Sequence, residues 1–164
     1  MKKTILFCNC GGDFADKVLL RELEMFLIKQ KTEIIKLSDL CGIIATDKTD
    51  LQKTIKAGNE YLILGCNSRA MKLLLEKAMI SIPSVEFINI KDLPFVLVVD
   101  KINAFINCSN NENSFIELSA DKTWPAWYPL IDYARCTVCC QCAEFCLIGV
   151  YSKSDLRVEV VNPK

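Results

Sequence analysis

Residues 3–37 read "KTILFCNCGGDFADKVLLRELEMFLIKQKTEIIKL", and this stretch predicts the fold. "KTILFCNC" is a short apolar run of strand length. "DKVLLRELEMFLIKQ" then repeats apolar residues at Val18, Leu19, Leu23, Phe26 and Leu27, close to helical spacing. "TEIIKLSDLCG" returns to a strand and its exit. Strand, helix and strand at this separation predict two parallel strands joined by a crossover helix.

The alternation continues to about residue 92. "TDLQKTIKAG" predicts a helix stopped by Gly58, and "EYLILGC" a third strand. "NSRAMKLLLEKAMI" predicts a helix capped by Asn67 or Ser68, and "SVEFINI" a fourth strand. Residues 1–92 are therefore expected to form a small three-layer α/β domain on a parallel sheet. Residues 93–123 show no helical pattern: "LPFVLVVDK", "NAFINCS" and "SFIELSADK" suggest short strands, in hairpins around the polar "NNEN". "TWPAWYPL" marks an extended linker. Residues 124–164 form a third region, in which a dense cysteine run precedes "VYSKSDLRVEVV", a predicted hairpin closed by Ser154 and Asp155.

Composition narrows the chemistry. The 20 basic and 20 acidic side chains cancel, so no overall field draws in nucleic acid or an anionic surface. The apolar runs fall short of the roughly 20 residues that a membrane span needs. The start, "MKKTILFCNCGGD", makes a poor signal peptide, and a cytoplasmic location is expected. The 164 residues contain 10 cysteines and no histidine. Disulfides rarely persist in the cytosol, so metal binding or redox chemistry accounts better for the thiols. The lack of histidine removes Cys/His zinc sites, Ser-His and Cys-His nucleophile pairs and the usual acid/base catalyst at neutral pH.

Four cysteines follow the first three predicted strands: Cys8 and Cys10 in "FCNCGGD", Cys41 in "DLCG" and Cys66 in "LGCNS". Parallel strands bring all four to one edge, where open α/β sheets bind ligands near helix N-termini. Thiols placed there are either ready metal ligands or redox-active groups of depressed pKa. Ordinary buried cysteines are the plain alternative. "CNCGG" is not a G-x-G-x-x-G fingerprint. A thiol phosphatase would want arginine five residues after Cys8, where Asp13 stands, and Arg69 follows Cys66 by only three. Cys108 reads as structural or incidental.

In "RCTVCCQCAEFCLIG", Cys136, Cys139, Cys142 and Cys146 match C-x2-C-x2-C-x3-C. Two-residue gaps let a tight loop turn thiolates onto one face of an iron-sulfur cube while its amides point at sulfur. The separation of Cys142 from Cys146 suits one side of a short helix over "QCAEFCLIG". Zinc would want a second C-x2-C pair, which the chain does not contain.

With its aliphatic-Asp lead-in and glycine-ended helix, "PLIDYARCTVCCQCAEFCLIGVY" resembles the first half of a bacterial two-cluster ferredoxin domain. The resemblance implies that Cys136, Cys139 and Cys142 ligate one 4Fe-4S cluster and that Cys146 crosses to another. Cys140 stands where glycine is common in that family, and Leu147 replaces its usual proline. A second cysteine run is missing from the 164 residues. Either the sequence is a shortened version of a longer protein, or the cluster is completed differently. Half of such a domain would be only marginally stable alone.

"ILFCNCGG", "DLCG" and "LGCNSRA" together resemble the N-terminal domain of the A-type component of heterodisulfide reductase over about residues 4–90, with Asn67-Ser68 in place of the usual Ser-Pro. That resemblance implies Cys8, Cys10, Cys41 and Cys66 as ligands of a further cluster. The two resemblances imply a carrier of one or two 4Fe-4S clusters that relays single electrons between redox partner proteins, alone or within an oligomer or larger complex. The alternative is a redox enzyme subunit whose N-terminal thiols are fed by the C-terminal cluster.

Overall fold

Strand β1 (Lys3–Cys8) lies at the centre of a five-stranded parallel sheet. The computed structural model describes residues 2–9, 16–107, 113–121, 127–154 and 157–163, and the chain divides into two units, Met1–Ala126 and Trp127–Lys164. In the first unit β1 is followed by α1 (Lys17–Leu27), β2 (Glu33–Leu37), α2 (Leu40–Thr46), α3 (Thr49–Thr54), β3 (Glu60–Gly65), α4 (Ser68–Lys77), β4 (Ser84–Asn89), α5 (Phe95–Ile106) and β5 (Ser114–Leu118). The strand order is β4-β3-β1-β2-β5. This is the expected α/β class, a parallel sheet between two helical layers.

The period of two along β1 separates those layers. Lys3, Ile5 and Phe7 share one face, where Lys3 Nζ donates to the Phe105 carbonyl of α5 at 2.7 Å. Lys36, paired with Phe7, lies on the same face and reaches Glu24 of α1 at 2.5 Å and Glu117 of β5 at 3.2 Å. Thr4, Leu6 and Cys8 take the other face, and there the Cys8 sulfur accepts the Leu40 N–H of α2. Right-handed crossovers give the same division, with α1 and α5 on one side and α2, α3 and α4 on the other. Ile5, Leu6, Phe7, Ile34, Ile35, Leu62, Ile63 and Leu64 are fully buried, as parallel strands covered on both faces must be.

Several helices differ from expectation. In α1 the buried stripe is Leu20, Leu23 and Leu27, while Val18 is exposed. Asp16 caps that helix, accepting from Val18 N at 2.8 Å. Residues 40–42, expected within a strand exit, instead open α2, because Asp39 caps the Gly42 N–H. Helix α3 ends at Thr54, short of Gly58. Of the two caps considered for α4, Asn67 is the one used, accepting from Ala70 N at 3.0 Å.

The largest correction concerns residues 93–123. Phe95–Ile106 is a twelve-residue helix that buries Val98 and Ile102, and Ser114–Leu118 pairs in parallel with β2. The expected hairpins are absent from the described part of this stretch. A β-branched apolar run has no visible period of its own, but Pro94 before it is a helix-start signal. Strands β4 and β5 lie at opposite edges of one parallel sheet, and parallel strands need a long crossover, which α5 provides. The first unit accordingly extends well past residue 92.

The second unit contains α6 (Gln141–Glu144) and a hairpin of β6 (Tyr151–Lys153) and β7 (Val158–Val160). Ser154 closes the hairpin, its N–H donating to the Arg157 carbonyl at 2.9 Å; the expected turn residue Asp155 lies outside the described residues. Among the described residues of this unit, Val150 and Val158 are the buried aliphatic side chains. Among the described residues no helix is long and apolar enough to cross a membrane.

Two positions test this packing. A Cβ on Gly42 would come within 2.8 Å of both Ala120 Cβ and the Asp39 carboxylate. Gly42→Ala should therefore cost ~1–3 kcal/mol in urea unfolding. Glu33 accepts from Lys2 at 2.8 Å and from the buried Thr4 hydroxyl at 2.8 Å. Burial alone would raise its pKa, but these donors outweigh it and hold the carboxyl below its ordinary value. Its stabilisation is then present above the unfolded value near about 4.3 and is lost as pH falls through the folded one. Glu33→Gln should be less stable than wild type at neutral pH, with the gap closing under acid.

Candidate metal centre

The C-terminal cysteine loop begins at a turn on Asp132, whose carbonyl accepts from Arg135 N at 3.0 Å and whose carboxylate accepts from Ala134 N at 3.2 Å. Tyr133 within that turn donates its hydroxyl to the Val158 carbonyl at 3.0 Å, and Arg157 lies over its ring at 5.9 Å. These contacts join the lead-in of the loop to the hairpin. No sequence motif announced them, because the partners are 25 residues apart.

From Cys136 to Cys140 the backbone is irregular. Val138 and Cys140 take left-handed conformations, with φ of 56° and 62°. A β-branched residue at positive φ is a clear outlier, and strain of this kind concentrates at ligand clamps and active sites. Cys140 precedes α6 in a conformation that glycine adopts without penalty. This is the physical reason glycine suits the position.

Backbone amides converge on two of the predicted ligands. The Gln141 N–H holds the Cys139 thiol below its ordinary pKa, with the Thr137 side chain assisting. The Val150 N–H donates to Cys146 Sγ at 3.2 Å. It lowers the Cys146 pKa, joined by the amides of Ile148, Tyr151 and Gly149. Gly149 makes this possible: its φ of 66° turns the chain so that successive N–H groups face one sulfur. The glycine was visible in the sequence as a helix end, but its role as an amide-aiming turn was not.

Helix α6 is shorter than expected, ending at Glu144, so Cys146 lies beyond it rather than on its side. Burial raises the Tyr151 phenol pKa.

At the first unit's sheet, Cys8 closes β1, Cys41 sits in the first turn of α2, and Cys66 follows β3 directly before the Asn67 cap. β1 is flanked by β2 and β3, so the three positions share the carboxyl edge of adjacent strands, as expected. Cys8 is buried, its Sγ accepting from Leu40 N at 3.3 Å. The absence of a side chain on Gly65 leaves room for Met71 and Cys8 beside it. Cys10 and Cys108 lie outside the described residues.

Among the described residues no three Cys, Asp or Glu side chains converge in metal-ligand geometry. The donor chemistry of the C-terminal loop nonetheless fits an iron-sulfur cluster. Its four motif thiols are close in sequence, and two are already held toward thiolate by amides of the kind that face cluster sulfur.

One comparison with known proteins bears on iron-sulfur chemistry in this chain. A 38-residue stretch is 47% identical to an uncharacterized ferredoxin of Methanocaldococcus jannaschii, covering 23% of this chain and 26% of that protein. The chain carries a ferredoxin-like region. The match spans about a quarter of that ferredoxin's length, and at this coarse level it supports iron-sulfur electron transfer. No family model matches the chain, and no solved structure matches it.

The C-terminal cysteine loop can be tested at two of its three left-handed positions. Cys140→Gly should stabilise the chain by up to ~1 kcal/mol, relief of the left-handed penalty exceeding the added freedom of the unfolded chain, and leave iron uptake unchanged. A loss of iron would make Cys140 a ligand. Gly149→Ala places a Cβ in open space but in the left-handed region, and should destabilise by ~1–2 kcal/mol and weaken iron retention.

Proposed function

We propose that this protein is an iron-sulfur electron-transfer protein whose C-terminal loop holds a 4Fe-4S cluster through Cys136, Cys139 and Cys142, with Cys146 serving a cluster as the fourth cysteine of the run. The observation that carries the proposal is the C-x2-C-x2-C-x3-C spacing on a loop whose amides already face Cys139 and Cys146. When bound, such a cluster supplies one-electron redox chemistry. Amide donors favour the thiolate form of Cys139 and Cys146, and such donors together with local burial would tune the potential. Electrons would pass between redox partner proteins. The cysteine content favours the reducing cytoplasm as the compartment.

A second reading is favoured by Cys8, Cys41 and Cys66 at one strand edge. In it the first unit works like the heterodisulfide reductase domain it resembles, either holding a further cluster with Cys10 or performing thiol and disulfide chemistry with electrons from the C-terminal loop. Such a protein would be one component of a larger oxidoreductase.

Anaerobic reconstitution with iron and sulfide, followed by iron counting and EPR, separates these readings. Cys136→Ala should lose about four irons per chain; unchanged iron in that variant would sink the ferredoxin assignment. If the first unit holds a cluster, Cys41→Ala loses about four more. If its thiols react instead, Cys41→Ala keeps its iron but loses a reactive thiol in alkylation assays.

A further inference from the structure

Strand β4 forms one edge of the five-stranded sheet and pairs in parallel with β3 from Ser84 to Asn89. Just beyond it the Ile90 N–H donates to the Gly65 carbonyl at 2.9 Å. A strand presents its backbone groups alternately to its two sides, so Ser84, Glu86 and Ile88 bond to β3 on the same side as Ile90. Val85, Phe87 and Asn89 then turn their N–H groups outward. Among the described residues nothing pairs with the N–H or C=O of Val85 or Phe87. An open row of this kind is a template for another strand. The charge of β4 does not block it, because Glu86 lies on the α5 face, where Lys101 approaches it at 3.6 Å.

The opposite face of β4 carries a pocket. Ile63 pairs with both Leu6 and Phe87, which puts Phe87 and Val85 on the face covered by α4. There, with Leu75 and Ile80, they line an open pocket of about 210 Å³ that also reaches Lys72 and Glu76. A cavity of about 150 Å³ holds a benzene ring, so this one accommodates an aromatic side chain. Lys72 and Glu76 are exposed, and neither has an ion-pair partner among the described residues.

The occupant that fits these features is a second copy of the same edge. Two β4 strands related by a two-fold axis at Phe87 run antiparallel. Each Phe87 then exchanges both backbone bonds with its counterpart, and Val85 does the same with Asn89 across the axis. All three outward N–H groups find acceptors in this register. Glu86 comes to lie opposite Ile88 of the other copy, whereas an axis at Glu86 would set the two Glu86 carboxylates directly against each other. The Phe87 side chains meet on the pocket face. Helix α4 runs antiparallel to β4, as a crossover helix must, and Lys72 stands about one turn nearer its N-terminus than Glu76. The axis reverses that order, so Lys72 of each copy faces Glu76 of the other.

We propose that this protein forms a two-fold dimer through β4, which joins two five-stranded sheets into one, with Phe87 against Phe87 and Lys72 opposite Glu76 across the contact. Strand addition of this kind takes its affinity from main-chain bonds and its specificity from the side chains beside them. The contact uses neither cysteine nor metal, so it goes beyond the iron-sulfur reading and is tested apart from it.

The test is sedimentation equilibrium of the full-length chain without metal, which should give twice the 18.5 kDa chain mass. Lys72→Glu and Glu76→Lys each set like charges across the contact and should each weaken the dimer roughly tenfold. An equimolar mixture of these two variants restores opposite charges in the heterodimer and should recover wild-type affinity. Val85→Pro removes an outward N–H that the chain itself does not use, a place where an edge strand tolerates proline. It should abolish the dimer and leave the urea midpoint of the monomer near that of monomeric wild type. Amide exchange at Phe87 should be slow in the wild-type dimer and fast in Val85→Pro. Should Val85→Pro fail to fold, the charge mixture decides. A wild-type chain that stays monomeric overturns the pairing and leaves the β4 edge to a strand of another protein. A dimer that the charge variants leave unchanged, or a mixture no tighter than its components, overturns the assignment of the contact to β4. Iron uptake is untouched by any of these outcomes and tests the earlier reading separately.

Discussion

The constraint on which the first unit depends is that all five strands of its sheet run the same way. Parallel neighbours cannot be joined by tight turns, so every connection must cross a face of the sheet, and the crossings become helices. The same constraint places every strand end at one edge. Cys8, Cys41 and Cys66 are brought together in the fold for this reason, although 58 residues, the difference 66 − 8, separate the first from the last. Burial on both faces then turns the strands into apolar runs and leaves polar residues such as Thr4 and Lys36 dependent on named partners.

The second unit is organised differently. Among its described residues the buried side chains are Pro129, Val150 and Val158, and backbone turns at Val138, Cys140 and Gly149 shape its loop. Hydrophobic burial on that scale contributes only a few kcal/mol. A loop with positive-φ residues and amides turned toward sulfur is better suited to gripping an anionic cofactor than to holding itself together, and metal binding in such regions contributes directly to folding. The left-handed Cys140 illustrates the trade. Glycine would be easier there, and the cysteine is tolerated at an energetic cost within a strained loop.

Much of this architecture was legible in the chain. β1, β2, β3 and β4 were recognisable as short apolar runs, and α1 and α4 as periodic segments between them, because each carries its own pattern. α2 was hidden because its start depends on the Asp39 carboxylate meeting the Gly42 N–H, and α5 because its β-branched run shows no period until one face is buried. In the C-terminal loop the C-x2-C-x2-C-x3-C spacing of the four motif cysteines was visible in the sequence. The amides of Gln141 and Val150 were not, since backbone donors leave no trace in residue type.

By itself the sequence determined the thiol inventory: which sulfurs exist, how far apart they lie, and that no histidine accompanies them in the 164 residues. It also determined the alternation that makes a parallel sheet. Only the tertiary structure decided where residues 95–118 belong, since joining opposite edges of a parallel sheet requires a crossover and no local propensity encodes that demand. It also decided that Cys146 lies beyond α6 with Phe145, Leu147 and Ile148 exposed around it. Exposure is a property of what the rest of the chain covers, and no short stretch of residues can specify it.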